Sequence, residues 1–291
     1  MPERVAFTRE QETMLITLYA RALESRSARP ILADPWAEAA VERIDHDFAK
    51  FKVGRQHQLT ISLRAKKFDD WTRVFLDNNP CATVLYLGCG LDSRVHRIDP
   101  PECIHWYDVD FPDVIELRRR LYPDRRGHYR MVASPLEDMC WLEGVPTDQP
   151  ALVMAEGVTM YLTRDLVKRI LNRVVDHFPS GQVAFDAHDA GLVRWMDRRG
   201  MTVRETGASF SWGIDSPRDA ILLEPRLEFV ACSRTVDLPA YRALPLWRRL
   251  SFWLMDAVPM FRGLHRPLLY SFSALSAVRR ACRADDTLRE Q

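Results

Sequence analysis

The chain has 291 residues, 47% hydrophobic and 28% charged, with a formal net charge of +1. This is a globular chain able to bury a sizeable core, as one domain or one domain with an elaborated cap, and no global field or recognised motif favours nucleic acid. Six cysteines (Cys81, Cys89, Cys103, Cys140, Cys232 and Cys282) contain no Cys-x-x-Cys, a spacing that supports neither a zinc knuckle nor a disulfide framework and suits a reducing cytosol.

The N-terminus, MPERVAFTREQETM, carries no apolar signal core. No apolar run approaches the roughly 20 residues of a membrane span. A cytoplasmic location is expected. Residues 8 to 26 read as an amphipathic helix with Met14, Leu15, Leu18 and Ala22 on its apolar side. Arg29-Pro30 and Asp34-Pro35 break the chain before a second helix from about Trp36 to His46. A third helix starts near His57 and is stopped by Asn78-Asn79-Pro80. A helical cap over residues 1–80 is therefore expected.

Thr83 to Leu87 is a short apolar run with the composition of a buried parallel strand. The turn Gly88-Cys89-Gly90 follows, then a helix start, then a second strand ending on Asp108 and Asp110. Strand, glycine turn, helix, strand and terminal carboxylate make half of a nucleotide-binding α/β unit, the carboxylate being placed to accept hydrogen bonds from ribose hydroxyls. A dinucleotide site wants a third glycine where Ser93 stands. Asp92 beside it would repel a pyrophosphate but attract a sulfonium or α-ammonium group. The turn thus reads better as an S-adenosylmethionine site than as an NAD site. An ordinary α/β turn with a solvated aspartate is the plainer alternative.

Beyond it, helix 113–121, strands 128–132 and 151–155, helix 164–178, strand 181–186, helix 188–198 and strand 227–232 alternate. That pattern gives a mostly parallel, Rossmann-like sheet of seven strands with right-handed crossovers, over residues 81–237. Glu156 ends a buried strand where open α/β sheets bind ligands. An acid there is costly to bury unless it meets a ligand or donor, and a ligand contact is weighed above a structural hydrogen bond. Asp186, His188 and Asp189 follow the next strand. His188 could be a general base, having an unperturbed pKa of about 6.5, or a capping residue. The other histidines show no ligand spacing, so no metal is expected.

The stretch 238–291 is dense in Trp, Phe, Leu and Arg and divided by Pro239, Pro245, Pro259 and Pro267. It reads as two short helices forming a lid, removable without loss of fold. A basic-aromatic helix can also lie on an anionic membrane. The core or lid reading is favoured because the apolar residues look spread around the helix and few basic residues cluster.

LYARALESR (18–26) with ADPWA, LRAKKFDDW (63–71), LYLGCGLDSR (85–94), WYDVDFPDVIELRRRLYP (106–123), AEGVTMYL (155–162) and FSWGIDSPRDA (210–220) occur in one order and spacing. Together they resemble the leucine carboxyl methyltransferase-like family, in particular its bacterial polyketide O-methyltransferase branch. The resemblance implies a class I S-adenosylmethionine-dependent methyltransferase. It implies that Arg64, and less directly Arg21, meet the methionine carboxylate. Gly88, Cys89 and Gly90, with Asp92, would contact the methionine moiety, Asp108 and Asp110 the ribose, and Glu156 with Gly157 would line the pocket. Ser134, Pro135 and Leu136 occupy the adenine-contacting segment, Ser134 replacing an aspartate of many relatives. The expected partner is a small-molecule methyl acceptor, offering a hydroxyl or carboxyl oxygen, in secondary metabolism. The alternatives are a protein carboxyl acceptor, a non-catalytic S-adenosylmethionine-binding protein, or a nicotinamide oxidoreductase. Oligomeric state, monomer or homodimer, is not legible.

Overall fold

The structure, a computed structural model, describes residues 3–4, 9–198, 210–257 and 266–273. A two-residue strand β1 (Glu3–Arg4) precedes helix α1 (Arg9–Ser25), followed by α2 (Pro35–Arg43), β2 (Ile44–Asp45) and α3 (Arg55–Asn78). Asp34 caps α2 by accepting the Ala37 N–H, with Pro35 at the first helical position. Leu15, Leu18 and Ala22 of α1 are buried in a cluster with Ala37, Phe48 and Ile61. Leu91, Leu117 and Leu121 of the sheet region join that cluster, so cap and core share one packed interior.

The sheet strands are β3 (Thr83–Leu87), β4 (His105–Asp110), β5 (Tyr129–Ala133), β6 (Ala151–Ala155), β7 (Ser180–Ala187), β8 (Glu228–Cys232) and β9 (Arg266–Ser273). Between them lie α4 (Arg94–Ile98), α5 (Pro112–Leu121), α6 (Arg164–His177), α7 (Ala190–Arg198), α8 (Arg218–Leu223), α9 (Pro239–Arg242) and α10 (Leu246–Ala257). The spatial order is β5-β4-β3-β6-β7-β9-β8, with β9 antiparallel to both neighbours and the β5-to-β7 set parallel. Every residue of β3 is buried because helices cover both faces of the sheet. Strand order reverses at β3, between β4 and β6, and ligands of open α/β sheets lodge at the carboxyl ends beside such a point.

Of the stretch 238–291, α9 and α10 are helices as expected, Arg266–Ser273 is a strand instead, and residues 258–265 and 274–291 lie outside the described residues. The segment Arg266–Ser273 pairs along all of β7, from Ala187↔Arg266 to Ser180↔Ser273, and buries Leu268, Leu269, Tyr270 and Phe272. A strand defined by β7, 80 or so residues away in sequence, has no local signature, and the four prolines punctuate the segment without marking a strand. Truncation near residue 238 would thus remove an inner strand of the sheet. The helix α10 also departs from expectation. Its apolar residues are not spread evenly: Phe252 packs inward against Leu59, Leu63 and Tyr241, while Leu246, Trp247, Leu250, Trp253 and Leu254 share one exposed face.

Candidate functional site

A cavity of about 670 Å³ opens at the carboxyl ends of β3, β4, β6 and β7, under the cap. Its floor is the glycine loop. Gly88 and Gly90 have φ of +62° and +50°, and a Cβ on Gly88 would stand 2.3 Å from Val158 Cγ2. Only glycine lets the backbone turn there and leave room for a ligand. Asp110, at the end of β4, accepts the Gly90 N–H at 2.7 Å through one oxygen and the Phe111 N–H at 2.8 Å through the other. Burial pushes its carboxyl up to about 6, against those two bonds. Each oxygen has a further lone pair to offer a hydroxyl.

The loop's carbonyls are also held. Arg118 of α5 donates to Gly90 O at 2.8 Å and Asp92 O at 2.7 Å. Tyr122 Oη and Arg21 Nη2 both donate to Leu91 O, at 2.8 and 2.9 Å. Asp108 closes this arrangement from below, accepting from Arg118 Nη2, Trp106 Nε1 and Tyr129 Oη. Asp108 is thus spent on the loop's foundation and does not line the cavity. The expected acidic pair resolves into one carboxylate at the cavity and one beneath it: the two share a face of β4, but Asp108 lies two residues deeper, where Arg118, Trp106 and Tyr129 claim it.

Behind the floor runs a buried chain of alternating charges. Arg64 Nε donates to Glu156 Oε1 at 2.8 Å and Nη1 to Asp186 Oδ2 at 3.1 Å. Arg94 Nη2 donates to Glu156 Oε2 at 2.5 Å and Nε to Asp69 Oδ1 at 2.7 Å. Arg97 bridges Asp69, Asp92 and Asp34 at 2.6–2.9 Å. Arg21 reaches Asp34 at 3.4 Å. Burial alone would raise the Asp92 carboxyl, but Arg97, Arg94 and Arg21 hold it well below the ordinary carboxylate value. Burial likewise works against charge on Arg64, and Asp186 and Glu156 overcome it. Asp92 therefore lines the cavity as a neutralised partner of arginines. Its charge is thus not free to attract a sulfonium, contrary to expectation. Glu156 is likewise occupied on both oxygens by guanidinium groups, so its part is to aim Arg64.

Of the remaining expected site residues, Arg21, Arg64, Cys89, Ser134, Pro135, Leu136, Gly157 and His188 all line the cavity. Burial drives the Cys89 thiol well up in pKa, keeping it a small apolar contact. Asp186 turns to Arg64 and to the Gly157 N–H, and Asp189 accepts the Leu192 N–H at the start of α7. His188 alone of that trio faces the cavity, its ring 4.6 Å from that of Phe210. Capping falls to Asp189.

The roof comes from Met14, Ile16, Ile61, Met160 and Phe210, which are apolar. Sequence reasoning missed Arg94, Arg97, Asp69 and Arg118, and the roof residues as a set. Arg94 and Arg97 stand one helical turn apart just after the glycine loop, which was an available signal. Glu137, exposed at the cavity's edge, lies three residues beyond Ser134.

The model of the leucine carboxyl methyltransferase family matches residues 14–175. The chain is 42% identical over 275 residues to the tetracenomycin polyketide synthesis O-methyltransferase TcmP of Streptomyces glaucescens, covering 94% of this chain and 100% of the relative. It is 35% identical over 247 residues to the S-adenosyl-L-methionine-dependent methyltransferase dpfgK of Gibberella zeae, covering 78% and 82%. Among solved structures, one of a methyltransferase from Thermobifida fusca matches with a TM-score of 0.55 at 15% identity, over 88% of this chain and 94% of that one, a likeness of fold.

Proposed function

The chain belongs to the leucine carboxyl methyltransferase family, and from that premise we propose that it methylates an oxygen of a polyketide-like small molecule in the cytoplasm. It is an enzyme of the S-adenosyl-L-methionine-dependent class, an O-methyltransferase. The observation that carries the acceptor class is the cavity itself: a polar cradle for a nucleoside continuous with an apolar, aromatic roof.

The residues fit the cofactor. A side chain at Gly88 would collide with Val158 and one at Gly90 would crowd Met14, both residues of the cavity wall. Asp110 would take the ribose hydroxyls, the segment Ser134 to Leu136 would flank the adenine, and Arg64 with Arg21 would meet the methionyl carboxylate. When bound, S-adenosyl-L-methionine supplies a methyl group made electrophilic by its sulfonium. The protein's own task is alignment and exclusion of water. Positioning an acceptor oxygen in a near-attack geometry supplies several kcal/mol, up to about 7–11 in the best cases. Met14, Ile61, Met160 and Phe210 exclude water from that oxygen. A carboxyl acceptor is already ionised at pH 7 and needs no base. A phenol, with a pKa of about 10, would need His188 to accept its proton at a ring nitrogen.

Calorimetric titration with S-adenosyl-L-methionine, S-adenosylhomocysteine and NADH, followed by turnover on aromatic acids and phenols, tests this reading. Micromolar binding of the first two and silence from NADH is expected. NADH binding, or turnover only on a protein C-terminus, would overturn it. Comparison of wild type with His188→Gln then separates the acceptors, since only hydroxyl methylation should lose its rising pH limb.

A further inference from the structure

The exposed face of α10 has no place in the cofactor site or the acceptor roof. Leu246 is 78% exposed, Trp247 62%, Leu250 55%, Trp253 57% and Leu254 53%. At 100° per residue these five fall within about a third of the helix circumference. Single exposed apolar residues are ordinary, but five large ones on one stripe form a patch. Opposite them Phe252 is anchored on Leu59 and Leu63 of α3, and Tyr241 Oη donates to the Arg249 carbonyl at 2.7 Å. The helix is therefore fixed to the body with its apolar stripe outward.

Charge says what meets the stripe. Across α9 and α10, Arg242, Arg248 and Arg249 stand against one carboxylate, Asp256 in the last turn of α10, so the segment is net positive. Arg248 lies over the Trp247 ring, 3.9 Å from its centroid. A second copy of the chain would, in a two-fold contact, bring two such net-positive arginine sets together. Arginines bordering tryptophan and leucine suit the headgroup level of an anionic bilayer, where the indoles sit at the boundary and leucines enter the acyl region. We propose that α10 is a monotopic docking helix that seats the protein on an anionic lipid surface. No described helix is long and apolar enough to cross a membrane, so the contact is peripheral. Ser251 of α10 lies 3.3 Å from Gln56 of α3, whose next turns supply Ile61 and Arg64 to the cavity. Docking would bring the acceptor side near a phase that dissolves apolar molecules.

The test is co-sedimentation of the full chain with phosphatidylcholine vesicles and with vesicles half phosphatidylglycerol. Binding should be more than tenfold stronger on the anionic vesicles and weaken with salt. Trp247→Ser with Trp253→Ser, and separately Arg248→Glu with Arg249→Glu, should each reduce it at least tenfold. Leu250→Ser serves as a second apolar variant, and unchanged urea midpoints in all of them establish intact folds. Equal binding to neutral vesicles, or retention by these variants, overturns the proposal. So does binding that appears only after residues 274–291 are removed, which would make the chain's own end the occupant. Sedimentation velocity showing a dimer that the tryptophan variant dissociates would assign the face to a second copy instead.

Discussion

The floor of the cavity, formed by the Gly88–Asp92 loop, Asp110 and Glu156, is held in place by buried charge. Its roof, from Met14, Ile61, Met160 and Phe210, is held by apolar packing. On the floor each carboxylate has a named guanidinium or backbone N–H, and losing one partner leaves another charge stranded. On the roof one apolar side chain can replace another at modest cost, provided volume is kept. A family can therefore keep one floor and vary the roof, which is how one methyl donor can serve many acceptors.

The harshest way to break the floor is Arg94→Ala, which takes one guanidinium from both Glu156 and Asp69 and leaves each buried carboxylate with a single arginine, Arg64 and Arg97 respectively. Urea unfolding should show a loss of about 3–5 kcal/mol. A loss under 1 kcal/mol would mean that water replaces the guanidinium and that the charges are not interlocked.

Asp110 gives the next largest effect, through pH. Its folded pKa of about 6 lies above an unfolded value of about 3.9, so the folded state binds the proton more readily. Its burial cost is thus relieved as pH falls from 6 to 4. Relative to Asp110→Asn, the wild type should gain up to about 3 kcal/mol between pH 7 and pH 4. Cofactor affinity should move the opposite way, because a protonated carboxyl loses acceptor capacity. A stability difference independent of pH would show that Asp110 is solvated and of ordinary acidity.

At pH 7, Asp110→Ala should weaken S-adenosylhomocysteine binding more than tenfold by calorimetry, about 1.4 kcal/mol. Unchanged affinity would remove Asp110 from the ribose position. The smallest effect sharpens the contrast from the roof side. Phe210→Ala should shift S-adenosylhomocysteine affinity by less than about 0.5 kcal/mol while raising the acceptor KM severalfold. An equal loss of both would show that floor and roof are one unit.

Much of the floor was readable in the chain. Gly88 and Gly90 follow a five-residue apolar strand, and Asp110 lies twenty residues on, so backbone geometry alone confines what they can do. Asp108 was not separable from Asp110, because both are acids at a strand end and only packing reveals that Arg118 claims one of them. Asp92 was misjudged for the same reason. Its neighbours Arg94, Arg97 and Arg21 come from two helices, and a sequence shows a charge without the charges that neutralise it. His188 lines the cavity, while its neighbours Asp186 and Asp189 turn to an arginine and a helix cap.

By itself the sequence determined the strand-and-helix alternation, the glycine turn, the terminal carboxylate and the family. These rest on contacts between residues near in the chain, which leave periodic and spaced signals. The tertiary structure alone decided that Arg266–Ser273 is an inner strand, that the floor is a closed ionic chain, and that α10 turns its tryptophans outward. Each depends on partners dozens to hundreds of residues apart, and pairing at that range is set by the whole packed interior rather than by local propensity.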